Sequence, residues 1–287
     1  MKVLPDFGRI ASQTIINFGL RSRAMRQSFK NAIVPEKSGS TRAKGSISLV
    51  GAGPGAADLL TLRAVKHLQQ ADVVFYDRLV DKEVLDIARG TAELVFVGKH
   101  VGAHAWPQDR INAVIVSEAL KGRRVVRLKS GDPSIFGRAR EELEAARVEG
   151  IDIEIVPGIT AALAAASRTG MPLTERGIAD TLVLTTGRCQ EDDPLPDCAR
   201  HAQPGTTLAF YMSVRQAARV RDGLIELGMP PSTPVTIAVD VSKRSERILG
   251  CDLRSLQGTL EQHSISGCAT LIVTWPKQQI QLNAMAS

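Results

Sequence analysis

From Ser46 onward, short β-rich runs alternate with stretches in which apolar positions recur every three or four residues. The first pattern predicts strands and the second helices, because side chains repeat every two residues along a strand and about every 3.6 along a helix. In the first half the strands fall at Ile47–Gly51, Asp72–Tyr76, Glu93–Val97, Arg124–Leu128 and Ile151–Val156. Helices fall between them at Leu59–Gln70, Pro107–Gly122 and Arg138–Glu149, the first with Asp58 as its N-cap. This alternation predicts an α/β domain with a largely parallel sheet.

The second half is looser. Strands are predicted at Thr181–Thr185, Thr207–Tyr211, Val235–Val239, Glu246–Leu249 and Thr270–Thr274, with helices at Arg215–Leu227 and Leu253–Gln262. Several of these strands are close enough in sequence to be antiparallel neighbours, so a mixed sheet is expected. An Ala-rich helix between Gly158 and Gly170 joins the halves.

The first 45 residues read differently. Phe7, Ile10, Ala11, Ile15 and Phe18 sit at helical spacing among basic residues, and Pro35–Gly45 reads as a linker. Nine of the 36 Lys and Arg residues and two of the 30 acids lie here, so this leader carries +7 and the rest of the chain −1. The net charge of +6 therefore belongs to the leader. A nucleic-acid-binding domain would carry its surplus on the folded body. A cleaved transit peptide, a basic surface helix, a remnant of an upstream domain and a flexible tail all remain open for the leader.

Composition of 44% hydrophobic and 23% charged residues excludes wholesale disorder. No apolar run reaches the roughly 18 residues needed to cross a bilayer. Cys189, Cys198, Cys251 and Cys268 are too scattered for a disulfide framework and form no CxxC pair, which fits a reduced, cytoplasmic compartment. His100 and His104 are four apart, but Gly102 between them argues against a helical metal pair; His67, His201 and His263 read as surface or packing residues, and no metal is expected.

Two loops carry the candidate chemistry. Gly51-Ala52-Gly53-Pro54-Gly55-Ala56 follows the first strand and resembles a weak dinucleotide fingerprint, with Asp77 at the next strand end as the ribose acid. Proline has no N–H to give a pyrophosphate, so the loop suits a cationic or neutral ligand better. The second loop, Lys129-Ser130-Gly131-Asp132-Pro133-Ser134, places an acid at a strand's C-terminal edge, where open α/β sheets bind ligands.

The strings VGAGPGAADLLTLRA (50–64), ADVVFYDRLV (71–80), FVGK (96–99), RLKSGDPSIFGR (127–138) with Glu141-Glu142, VPGITAA (156–162), MPLTER (171–176) and FYM (210–212) together resemble the uroporphyrinogen-III C-methyltransferases. The resemblance covers about residues 46–275. It implies the two-domain tetrapyrrole methylase (class III methyltransferase) fold, each domain a mixed or mostly parallel sheet flanked by helices. The domains would span 46–158 and 159–278, after the leader 1–45 and before a tail at 279–287.

The same resemblance implies transfer of methyl groups from S-adenosyl-L-methionine to C2 and C7 of uroporphyrinogen III. The products would be precorrin-2, feeding sirohaem and cobalamin synthesis, and S-adenosyl-L-homocysteine. Asp77 would accept a proton and Lys99 return one. Pro54, Ser130, Gly131, Asp132, Ile135, Thr160, Ala161, Met212 and, through its backbone, Val241 would hold the cofactor. Arg127, Lys129, Arg138 and Arg176 would grip the substrate's carboxylates, and the subunits would pair as a homodimer. The chain departs from the family at Ser130 (glycine), Ser134 (phenylalanine), Val241 (glycine) and at the Val273-Thr274 pair of the last strand. The SGDPS turn looks more like sister enzymes that methylate later corrin precursors. A binding protein that holds tetrapyrrole or cofactor without turnover, and a nicotinamide-dependent oxidoreductase, are the alternatives from other classes.

Overall fold

Strand β1 (Ser46–Gly51) is an interior strand of a parallel sheet, buried on both faces from Ile47 to Gly51. In the computed structural model, which describes residues 43–98, 106–187 and 201–277, this sheet has the order β3-β2-β4-β1-β5. Its other strands are β2 (Val73–Tyr76), β3 (Glu93–Phe96), β4 (Arg124–Lys129) and β5 (Asp152–Val156). All the pairings are parallel. Helices α1 (Leu62–Gln70) and α2 (Lys82–Leu85) cover one face, over Val50, Val74, Val126 and Leu128. Helices α3 (Gln108–Leu120) and α4 (Ala139–Val148) cover the other, over Ile47, Leu49, Val73, Phe75 and Val125.

The second sheet has the order β6-β7-β10-β8-β9, from β6 (Thr181–Thr186), β7 (Thr206–Tyr211), β8 (Pro234–Val239), β9 (Arg247–Asp252) and β10 (Ala269–Trp275). Only β6 and β7 run parallel; the rest pair antiparallel, as the close spacing of the strands predicted. Helix α5 (Ala161–Thr169) packs on one face through Ala162, Ala164 and Ala165, whose small side chains let it lie close. Helices α6 (Ala217–Glu226) and α7 (Leu256–Gln262) cover the other over the larger core of Leu208, Phe210, Ile237 and Leu271.

Several sequence expectations shift. The predicted helix Leu59–Gln70 begins with a short 3-10 turn at Ala57–Leu59, breaks, and restarts at Leu62. Its N-cap is Thr61, whose hydroxyl accepts from Ala64 N at 3.1 Å, and not Asp58, because the chain is extended at Leu60 and Thr61. Helix α7 starts three residues later than predicted, since Leu253 turns inward and is fully buried before the helix opens. Strand β9 runs on through Gly250, Cys251 and Asp252, of which Gly250 and Asp252 have low β-propensity and are recruited by pairing with β8. The leader helix, Lys99, His100, His104, Cys189, Cys198 and the tail lie outside the described residues. Among the described residues no helix is long and apolar enough to cross a membrane.

Candidate active site

The strand order makes a crevice. The connection after β1 passes to β2 on one side, and that after β4 passes to β5 on the other, while β1 and β4 lie side by side. These two connections leave over opposite faces of the sheet, and between them, at the C-terminal ends of the strands, open α/β sheets leave room for a ligand. Both candidate loops, 51–56 and 129–134, emerge there.

Glycines make the crevice possible. Gly53 and Gly131 exchange backbone hydrogen bonds, N to O at 3.2 and 2.7 Å, as an isolated antiparallel bridge, and Ala52 N donates to Lys129 O at 2.7 Å. A Cβ on Gly158 would lie 2.2 Å from Gly131 O, and one on Gly51 2.6 Å from Gly158 Cα. Three backbones thus touch where no side chain fits. Gly131 is different: it has φ +68°, yet a Cβ there would meet nothing nearer than Thr160 Cα at 3.9 Å.

The Asp132 carboxylate locks this arrangement. One oxygen accepts from Ser134 N at 2.7 Å and from the Ser134 hydroxyl, and the other from Gly158 N at 3.0 Å. The turn after β4 is thereby tied to the Pro157-Gly158 turn that precedes α5. At the start of that helix the buried Thr160 hydroxyl bonds the Tyr211 hydroxyl at 2.7 Å, and Ala162 N donates to the same oxygen at 3.0 Å. Tyr211 ends β7, so the second sheet caps the helix that borders the first sheet's crevice. Its ring sits 5.3 Å from that of Phe136. Met212 follows with φ +52° and is half exposed.

The loop after β8 closes one side. Asp240 and Ser242 adopt φ +46° and +65°, and Val241 between them turns its side chain into the core against Ala164, Ala165 and Ala238. Ser242 Oγ accepts from Ala56 N at 3.1 Å, and the Lys243 stem crosses Gly55 to donate to Leu79 O at 2.6 Å.

Asp77 follows Tyr76, which pairs with Leu128, so it stands one strand away from the Ser130–Asp132 turn. Its Oδ1 accepts from Leu79 N at 3.0 Å, and Arg127 Nη2 lies 3.4 Å from Oδ2. Gly98 packs against the Arg78 backbone, where a Cβ would fall 2.8 Å from Arg78 N.

Arg127 and Lys129, expected to grip the substrate, are both buried. They are 5% and 6% exposed and point to one face of β4 beneath α4, where both meet Glu142. Arg127 Nε lies 3.3 Å from Glu142 Oε1 and Lys129 Nζ 2.6 Å from Oε2. Burial pushes the Lys129 ammonium below its ordinary range, opposed by the charge of Glu142. Neither cation is presented to a ligand. Arg138 and Arg176 are exposed, Arg138 holding Glu141 through two bonds at 2.7 and 2.8 Å. Pro54 is buried in its turn, Ser130 and Ala161 are partly exposed at the crevice, and Ile135 is half-buried behind the Asp132 turn.

Thr274 lies elsewhere: its hydroxyl bonds Thr207 at 3.0 Å, at the opposite end of β7 from Tyr211, so that departure does not reach the crevice. His67 packs beside β1, its Nδ1 2.9 Å from Ser48 Oγ. The sequence reading assigned no role to Tyr211, Glu142, Ser242 or Lys243. Glu142 had a legible signal: with Ala139 and Ala146 it forms the buried stripe of α4, and a charge on that stripe demands a partner.

The comparisons with known proteins agree with this geometry. The model of the Tetrapyrrole (Corrin/Porphyrin) Methylases matches residues 46–257. Siroheme synthase 2 of Yersinia enterocolitica is 45% identical over 230 residues, which cover 80% of this chain and 48% of that protein. The chain spans about half the length of the curated relatives it matches. Among solved structures, a cobalt precorrin-4 methyltransferase shares 30% identity with a TM-score of 0.71, covering 80% of this chain and 95% of that one. The uroporphyrin-III C-methyl transferase of Thermus thermophilus, complexed with S-adenyl homocysteine, shares 34% identity with a TM-score of 0.66, covering 80% and 92%. With that match covering well over half of its length, the chain belongs to the tetrapyrrole methylase family.

Proposed function

We propose that the chain transfers methyl groups from S-adenosyl-methionine to C2 and C7 of uroporphyrinogen III, releasing S-adenosyl-homocysteine and precorrin-2 toward sirohaem or cobalamin. Residues 46–158 and 159–278 are proposed as its two domains, and a homodimer as its assembled form. One observation carries the reading: the 51–56 turn, the Ser130–Asp132 turn and the N-terminus of α5 meet at one switch point, with the Asp77 carboxylate one strand away.

The groups around the crevice fit such a cofactor. The space in front of Gly131, the half-exposed Met212 and the Phe136 ring suit a nucleoside. Pro54, lacking an N–H, disfavours the pyrophosphate of a nicotinamide dinucleotide. When bound, S-adenosyl-methionine supplies an electrophilic methyl on its sulfonium. Attack on it by a pyrrole carbon asks the protein for alignment and exclusion of water. Asp77 is proposed to accept the proton that the attacked ring loses, and Lys99 to return one. With Arg127 and Lys129 turned inward, the exposed Arg138 and Arg176 remain as candidates for the substrate's carboxylates.

The test is transfer of labelled methyl to uroporphyrinogen III, with products weighed by mass spectrometry. A product heavier by two methyl groups is expected, with a rise in melting temperature on adding S-adenosyl-methionine but not NAD. Absence of label in any product would overturn the reading. The SGDPS turn, in which Ser134 is spent on Asp132, favours a second reading as a sister methyltransferase; labelling only of an already methylated corrin precursor would establish it.

A further inference from the structure

Among the described residues, Glu142 is the only fully buried acidic side chain, at 0% exposure, and the proposed chemistry does not use it. Its Oε1 accepts from Arg127 Nε and from Gln108 Nε2, both at 3.3 Å, and its Oε2 from Lys129 Nζ at 2.6 Å. Arg127 is held on further sides: its Nη1 donates to Leu128 O at 2.8 Å and to Phe75 O at 3.3 Å. What remains is Nη2, directed at Asp77 Oδ2. The second Asp77 oxygen takes Leu79 N. Two cations and two carboxylates make the cluster neutral.

A cluster of this kind is not explained by stability, because well-packed apolar residues in place of buried ions are often as stable or more so. It does give direction. A guanidinium gripped at Nε and Nη1 cannot turn, and the carboxylate it faces inherits that orientation. We propose that Glu142 is a positioning residue for methyl transfer, aligning the Asp77 carboxylate through Arg127. The proposal rests on the reading of Asp77 as proton acceptor.

The experiment is a double-mutant cycle in single-turnover methyl transfer to uroporphyrinogen III. Glu142→Gln keeps the shape of the side chain and is expected to lower the rate by about tenfold or more, leaving the uroporphyrinogen KM within about threefold. In the Asp77→Asn background the same change is expected to cost less than about twofold. An equal loss in both backgrounds, or no loss in either, overturns the proposal. If Glu142→Gln does not fold, Glu142→Gln with Lys129→Met keeps the cluster neutral and the cycle is read there. A wild-type chain that transfers no methyl refutes the proposed function instead. The proposal is then decided by the carbon-13 resonance of the Asp77 carboxyl in the cofactor-free protein. Glu142→Gln must move that resonance more than the remote Asp180→Asn does, and equal shifts overturn it.

Discussion

The two ends of the parallel sheet use the same chemistry to opposite effect. At the N-terminal end Asp72 accepts from Arg124 N at 2.7 Å and pairs with Arg89, while Glu118 pairs with Lys121 at 2.6 Å and Arg123 at 2.5 Å. At the C-terminal end Arg127 and Lys129, on the same strand β4, meet Glu142 and Asp77. The first set is wetted by solvent; in the second, Arg127, Lys129 and Glu142 are sealed under α4 and only Asp77 reaches solvent. At the wet end the backbone N–H of Arg124 holds the Asp72 carboxyl below its ordinary range. Burial raises Glu118, but bonds from Lys121 and Arg123 outweigh it and its value also falls. At the dry end burial prevails and Lys129 is pushed down despite its partner. Ion pairs at the open end add modestly to stability; those at the closed end hold a geometry, because desolvation consumes most of their attraction.

The comparison breaks most visibly at Asp77. Asp77→Asn should slow methyl transfer by roughly 10²–10⁴ with cofactor affinity within a few-fold; unchanged turnover would remove this end of the sheet from the chemistry. Next in size is Gly158→Ala. Its Cβ would meet the Gly131 carbonyl at 2.2 Å, so a loss of about 3 kcal/mol in urea unfolding is expected, together with weaker cofactor binding. Gly170, with φ +67° and nothing within 4 Å, should cost only about 1 kcal/mol as alanine.

At the wet end Asp72→Asn should cost about 1 kcal/mol near neutrality and leave turnover unchanged. Because the folded carboxyl lies below its unfolded value of 3.8, its contribution is present above that value and disappears as pH falls through the folded one. Urea midpoints of variant and wild type should therefore differ at about pH 6 and converge as the pH falls below 3.8 and on through the folded value. Smallest is Arg244→Ala, which removes a bond to Glu83 at 2.7 Å from a side chain 91% exposed. Less than about 0.5 kcal/mol is expected, vanishing in high salt.

Most of the fold was legible because the strands of both sheets have apolar runs bounded by turn residues. Val50, Val74 and Val126 announce themselves. Positions governed by partners distant in sequence were not legible. Thr61 displaces Asp58 as a cap because the chain extends beforehand, and Gly250 joins β9 only because β8 lies beside it. In the site, the loops 51–56 and 129–134 were legible as loops, and the registers of β1 and β4 bring them together. The direction of Arg127 and Lys129 was not. Alternation puts both on one face of β4, yet which helix covers that face is a tertiary fact. Glu142 sits on the buried stripe of that helix, and only this contact turns a supposed substrate grip into an internal support.

The meeting of Gly51, Gly131 and Gly158 also has a consequence in time. These residues lie far apart along the chain, and the Tyr211 hydroxyl that caps α5 belongs to a strand made later still. During synthesis from the N-terminus, β1 waits for β4 and then for β5 before its terminal loop can close, and each closure of a long loop costs entropy before any contact repays it. The crevice is therefore among the last parts of the molecule to exist, and a nascent chain halted before β7 would hold a folded sheet without a finished ligand site.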